Sequence, residues 1–157
     1  MHLVNTVTQS YESDTSIIEM AKDILKGRMK VLDVTFNSSQ SVKDFLSLDL
    51  AAEEREVFAV LFLNNQNQLI EYKRMFLGTI RSVEVHPREI IRTAMELNAC
   101  AFILSHNHPS GSSEPSQEDR NVTVQIQKVA NLLQLKLLDH IVVGKGTTVS
   151  FAERGWI

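Results

Sequence analysis

Between residues 105 and 119 the chain reads SHNHPSGSSEPSQED, directly after the apolar run AFIL. If that run is a strand continuing through Ser105, then His106 and His108 stand two apart in extended backbone and project to the same face. Their imidazoles can converge on one ion. Pro109 ends the strand, SGSSEP is a turn-rich crossing, and a helix starting at Ser116 brings Asp119 into its first turn. Two neutral imidazole nitrogens and one carboxylate oxygen suit a catalytic zinc, which leaves its fourth tetrahedral position to a water that ionises near neutral pH. A second reading fits part of the pattern without a metal. Ser116 is a good helix cap, Glu118 and Asp119 favour the positive end of the helix dipole, and loop histidines are commonly just hydrogen-bonded surface groups. Capping leaves two histidines at strand spacing behind a buried strand unexplained, and spacing alone leaves both readings standing.

The elements that must carry these residues can be read from periodicity. EVFAVLFLN, from Glu56, is a near-continuous apolar run of the kind expected of a central strand covered on both faces. NNQNQ supplies a turn and LIEYKRMFL a second strand, so the two predict a hairpin ended by Gly78. HPREIIRTAMELN predicts a helix with Pro87 in its first turn and Ile90, Ile91, Ala94, Met95 and Leu97 on one face. ACAFILSHN is a buried strand, PSQEDRNVTVQIQKVANLLQL a long helix, and LLDHIVVG a further strand. This order predicts an α/β or α+β sheet sandwiched by helices. Upstream, residues 1–14 read as a loose arm, and DTSIIEMAKDILKGR as a short amphipathic helix stopped at Gly27. SVKDFLSLDLAAEE reads as another, capped by Ser41, with Val42, Phe45, Leu46 and Leu48 as its apolar set, and KVLDVTF between them as a short strand. The chain thus divides into an N-terminal arm and short helix, 1–40, and a domain, 41–157.

Bulk properties narrow the classes. With 157 residues, 43% of them apolar and 22% charged, the chain can bury one sizeable core. A net charge of -3 offers no general attraction to nucleic acid or to an anionic membrane surface. No basic helix and no aromatic platform interleaved with Lys or Arg is seen, which argues against direct nucleic-acid contact. The single cysteine, Cys100, excludes an internal disulfide and any CxxC site, suits a reducing cytoplasm, and reads as a small buried hydrophobe. No apolar run approaches the roughly 18 residues that span a bilayer, and MHLVNTVTQSYESD is no signal peptide.

The pattern H-x-H-P, six residues, S, two residues, D is filled here by His106-Asn107-His108-Pro109, SGSSEP, Ser116 and Asp119. It resembles the JAB/MPN+ metalloprotease motif, also called JAMM. The wording HNHPSG, then EPS, then LLDHIVVG is similar to the RadC family, over roughly residues 40–157. The resemblance implies a cytidine deaminase-like mixed sheet with flanking helices, one zinc per chain held by His106, His108 and Asp119, and hydrolysis of an amide in a protein or peptide substrate. It also implies that a glutamate on an early strand is the general acid/base, here best matched by Glu56 with Glu53 and Glu54 as rivals, and that the Ser116 hydroxyl helps stabilise the oxyanion. RadC-like proteins carry a helix-hairpin-helix region for which these first forty residues are too short, so the chain is similar to the short form of the family.

Two rival functions are weighed against this. The family's historical label implies a DNA-repair-associated or scaffolding protein without peptidase activity. A nucleobase deaminase needs H-x-E and a later P-C-x-x-C, which one cysteine cannot supply. His140, preceded by Asp139, reads first as a hydrogen-bonded strand histidine and second as a group that orients a ligand histidine. Asn107 faces away from the histidines and reads as a loop anchor. Trp156 reads as packing the chain end onto the core.

Overall fold

The run VFAVLFL forms β1 (Val57–Leu63), every residue of which is buried. An apolar strand is stable in this form only where both its faces are covered. In this computed structural model, which describes residues 2–31, 39–79 and 82–157, helices cover both. β1 pairs antiparallel with β2 (Leu69–Leu77) and, on its other edge, antiparallel with β3 (Ala101–Asn107). β3 runs parallel to β4 (Lys136–Val143), and β5 (Thr148–Ser150) adds antiparallel to β4. The mixed sheet therefore has the order β2-β1-β3-β4-β5. Around it lie α1 (His2–Val31), α2 (Ser39–Leu50), α3 (Pro87–Glu96) and α4 (Gln117–Leu132), an α+β fold as the element order predicted.

Alternation along β1 divides the core into two layers. Val57, Ala59, Leu61 and Leu63 pack with Val42, Phe45, Leu46 and Leu50 of α2. Phe58, Val60 and Phe62 pack with Ile90, Ile91 and Ala94 of α3 and with Ile126 and Ala130 of α4. The same alternation in β3 sends Phe102 and Leu104 to the α3/α4 layer and Ala101 and Ile103 to the α2 layer. His106, two beyond Leu104, continues on the α3/α4 side.

Several expectations are corrected at the periphery. Residues 2–14 are the first half of α1 rather than an arm, since neither Gly nor Pro interrupts them and the helix predicted from Asp14 extends backward. Gly27 does not stop this helix, because a glycine in a helix interior costs only about 1 kcal/mol. Ile17, Met20 and Ile24 remain exposed, while Leu25 reaches the α2 layer. α2 starts at Ser39 rather than Ser41, and Leu50 takes the buried place expected of Leu48. On α3, Met95 is exposed and Thr93 is buried. Cys100 is exposed, lying one residue before β3 where the layers no longer cover it. The KVLDVTF strand expected at 30–36 falls, beyond Val31, outside the described residues. Among the described residues no helix is long and apolar enough to cross a membrane.

One polar knot fastens these layers. The Asp49 side chain, 8% exposed, takes an ion pair from Lys22 on α1 at 2.9 Å and bonds from Tyr72 at 2.5 Å and Arg74 at 3.0 Å on β2. Burial works against its charge, but the bonds from Arg74, Tyr72 and Lys22 outweigh it and hold the carboxyl below its ordinary value. A carboxylate with a depressed folded pKa contributes stability above its unfolded value near 4 and loses it as the pH falls through the folded value. Asp49→Asn is therefore expected to cost about 2 kcal/mol at pH 7. In urea titrations the gap to the wild type should narrow below about pH 4.

Candidate metal centre

β3 ends where the chemistry begins. Phe58 of β1 stands opposite His106 of β3, so extending the antiparallel register by two places sets Glu56 against His108. Pro109 and the turn after it carry the chain to Ser116, whose side chain and backbone form a capping box with Asp119 at the start of α4. Sheet register and helix cap together bring Glu56, His106, His108 and Asp119 into one group, their ligand-type atoms within 4.8 Å of one another. Among the described residues this is the group that could hold a metal ion.

The inner three residues lie closer still. His106 Nε2 is 3.0 Å from His108 Nε2 and 3.2 Å from Asp119 Oδ1, and His108 Nε2 is 3.4 Å from Asp119 Oδ2. Ligand bonds of about 2.0–2.1 Å at tetrahedral angles place neighbouring donors roughly 3.3 Å apart, so the two nitrogens and the carboxylate are spaced as ligands of one zinc would be. His108 Nδ1 donates to the Ser112 carbonyl at 2.9 Å, so in the neutral ring the lone pair is on Nε2, which faces inward. The His106 ring is fully buried and lies parallel to the Phe58 ring, at 6.0 Å between centroids.

The four side chains are coupled electrostatically. Burial opposes the charge of Asp119, but hydrogen bonds from His106 and His108 hold its carboxyl well below the usual carboxylate range. The hydrogen bond to Asp119 raises His108. Glu56, 7% exposed, is raised, by burial first. Burial pushes His140 well below the usual imidazole value.

The loop between His108 and Asp119 is held from outside. Gly111, at φ 91°, accepts from Lys145 N at 2.9 Å, and Ser113 and Thr147 hydroxyls meet at 2.9 Å. Gly144 lies so close beneath that a Cβ there would come within 2.4 Å of the Gly111 carbonyl oxygen. Glu114 takes two bonds from Arg154, at 2.6 and 2.7 Å, and Arg154 and Arg120 both pack on Trp156, which in turn meets Phe151 edge-on. Trp156 thus packs the chain end as expected.

Glu56 is held through its backbone. Its N–H donates to Thr79 O at 2.9 Å and its carbonyl accepts from Gly78 at 2.8 Å. On the far face of the sheet, the Asn107 side chain accepts from Val57 N at 2.8 Å and donates to Arg55 O at 3.0 Å, which makes it the anchor its orientation predicted. Of the rival carboxylates, Glu53 pairs with Arg74 at 2.8 Å and Glu54 lines a shallow cleft of about 440 Å³ with Pro109, Ser110 and Lys145; neither joins the cluster. The Ser116 hydroxyl donates to Asp119 Oδ2 at 2.7 Å and accepts from Asp119 N at 3.1 Å.

A mixed sheet covered by helices, with two histidines, an aspartate and a glutamate gathered where β1 begins and β3 ends, fits the class of JAB domains. The family model for the RadC-like JAB domain matches residues 36–156, and the chain belongs to this family. The motif that resembled it is thus where the family is found.

One polar residue of the site neighbourhood was not singled out from sequence. Thr123 is 2% exposed and bonds to His140 at 2.6 Å. Its signal is helical spacing: four residues after Asp119, it lies one turn further along the same face of α4.

Proposed function

We propose that this protein is a zinc-dependent amide hydrolase acting on a protein or peptide substrate. The convergence of two imidazole nitrogens and the Asp119 carboxylate at 3.0–3.4 Å carries the reading. His106 Nε2, His108 Nε2 and an Asp119 carboxylate oxygen would hold the ion, one per chain. Bound zinc supplies Lewis acidity, which makes water a nucleophile near neutral pH and draws electron density from an amide carbonyl.

Glu56 is the proton carrier in this reading. Its carboxylate faces the three donors, and burial raises its proton affinity, as suits a base that must take a proton from the attacking water and return it to the departing nitrogen. Ser116 has two uses for one oxygen. Its hydroxyl proton lies on Asp119 Oδ2, where it steadies that carboxylate; to donate to an oxyanion it has to turn toward the substrate. Phe58 stacks on the fully buried His106 ring and keeps bulk water from it, which strengthens the charge interactions at that ring.

The test is zinc content by elemental analysis of protein purified without chelator or metal-affinity tag, beside His108→Ala. About one zinc per chain in the wild type and almost none in the variant is expected. The same preparation should cleave members of a panel of peptides and lysine-linked isopeptides, and lose that activity on chelation. Protein that binds no zinc even after dialysis against the ion would end the proposal.

A further inference from the structure

We propose that Thr123 and His140 form a directional hydrogen-bond relay that keeps the proton of His106 on Nδ1 and so keeps its Nε2 lone pair turned toward the cluster. The inference rests on the metal-centre reading given above, and it assigns positioning roles to two residues that touch neither substrate nor metal.

The direction follows from a carbonyl at the end of the relay, a group that can only accept. Thr123 Oγ1 lies 2.5 Å from the Asp119 carbonyl oxygen, one helical turn back. A carbonyl has no proton to give, and two oxygens at that separation without a shared proton repel, so the threonine hydroxyl donates to it. The hydroxyl proton is thereby used. Thr123 Oγ1 is also 2.6 Å from His140 Nδ1, and with its proton committed it can only accept there, so His140 carries its proton on Nδ1. Neutral His140 then has a lone pair on Nε2, 2.8 Å from His106 Nδ1. His106 must supply the proton of that bond, and its Nε2 is left free.

Around His140 no other hydrogen-bonding partner competes; at His106 the Asp119 carboxylate, 3.2 Å from Nε2, pulls the proton the other way, and the relay is what opposes it. His140 and His106 are fully buried and Thr123 nearly so, which keeps water from re-partnering the chain. Phe58 and Phe151 pack against the His140 ring at 5.5 and 4.7 Å between centroids and offer no hydrogen-bonding group. His108 has a carbonyl, Ser112 O, to fix its proton directly. His106 has no such carbonyl, and the relay borrows one from Asp119, whose side chain is the third member of the same donor set. The backbone of one ligand thus determines the proton position of another.

Long-range ¹⁵N–¹H NMR of the imidazoles tests this in the metal-free full chain at mildly alkaline pH. His106 and His140 are each expected to show a protonated Nδ1 and an unprotonated Nε2. Thr123→Val keeps shape and removes the acceptor, so His140 should move its proton to Nε2 and His106 should follow. Competition against a chromophoric chelator should then show zinc affinity about 10- to 100-fold weaker, as for other lost partners of ligand histidines. Thr123→Ser restores the hydroxyl and should restore both readouts, which a role in packing alone would not do. A wild-type His140 protonated on Nε2, or Thr123→Val with unchanged tautomers and affinity, overturns the relay. The two proposals fail separately: a wild type with the stated tautomers that takes up no zinc upholds the relay and removes the metal centre, whereas tight zinc with the opposite tautomers removes only the relay.

Discussion

Glu56→Gln is expected to retain about one zinc per chain while amide hydrolysis falls by roughly 10²- to 10⁴-fold, the range for losing a general acid/base. The substitution keeps the length and shape of a side chain that is 7% exposed at the start of β1, so packing around it should be undisturbed. His106, His108 and Asp119 keep their mutual spacing without it, since none of the bonds that orient them involves Glu56. What is lost is an oxygen able to take up a proton. Removing the charge also removes a group that burial disfavours, so the variant should be no less stable to urea than the wild type. Zinc content and turnover measured on one preparation separate the two roles. Full activity in Glu56→Gln would remove this residue from the mechanism, and loss of zinc would make it a fourth ligand instead.

Asp119→Ala should give the opposite pattern, with zinc lost and the fold retained. Where zinc binding to a protein site is worth about 10–16 kcal/mol, one ligand of three accounts for roughly 3–5 kcal/mol, or more than two decades in affinity. The capping box goes as well, because Ser116 N loses its acceptor, 2.7 Å away, but a lost cap costs only about 1 kcal/mol. A modest decrease in Tm with no stoichiometric zinc is the expected outcome. Glu118→Ala is the control: its carboxylate lies in the same first turn of α4 but outside the cluster, so it should keep its zinc. Zinc at full occupancy in Asp119→Ala would sink the ligand assignment.

The parts of this molecule that were legible in its sequence are those where one local rule dominates. VFAVLFL could only be a doubly covered strand, and strand alternation put His106 and His108 on one side and Asn107 on the other. Ser116 and Asp119 announced a helix start whether or not a metal was involved. Where legibility failed, tertiary context decided. No local signal said that the uncapped stretch before Asp14 would be helical, or that Ile17, Met20 and Ile24 would stay exposed on α1. The exposure of Cys100 depends on where the helical layers stop, which is set by packing. Glu56 could be ranked above Glu53 and Glu54 only by resemblance, whereas the β1/β3 register and the Arg74 pair of Glu53 distinguish them physically. Thr123 and His140 are seventeen residues apart in sequence, and their bond exists only because α4 lies across β4.

The tripeptide His106-Asn107-His108 has a mechanical consequence. Its outer members present their rings to one side of the sheet, and its middle member grips the backbone on both flanks of Glu56 from the other. The two histidines and Glu56 are therefore mounted on a single rivet through the sheet. Sliding β3 along β1 has to break the Asn107 bonds, so the spacing between the histidines and Glu56 is guarded from the opposite face of the sheet. Inserting or deleting one residue here would do more than misplace a histidine: it would turn rings and grip to each other's faces, and dismantle cluster and anchor at a stroke.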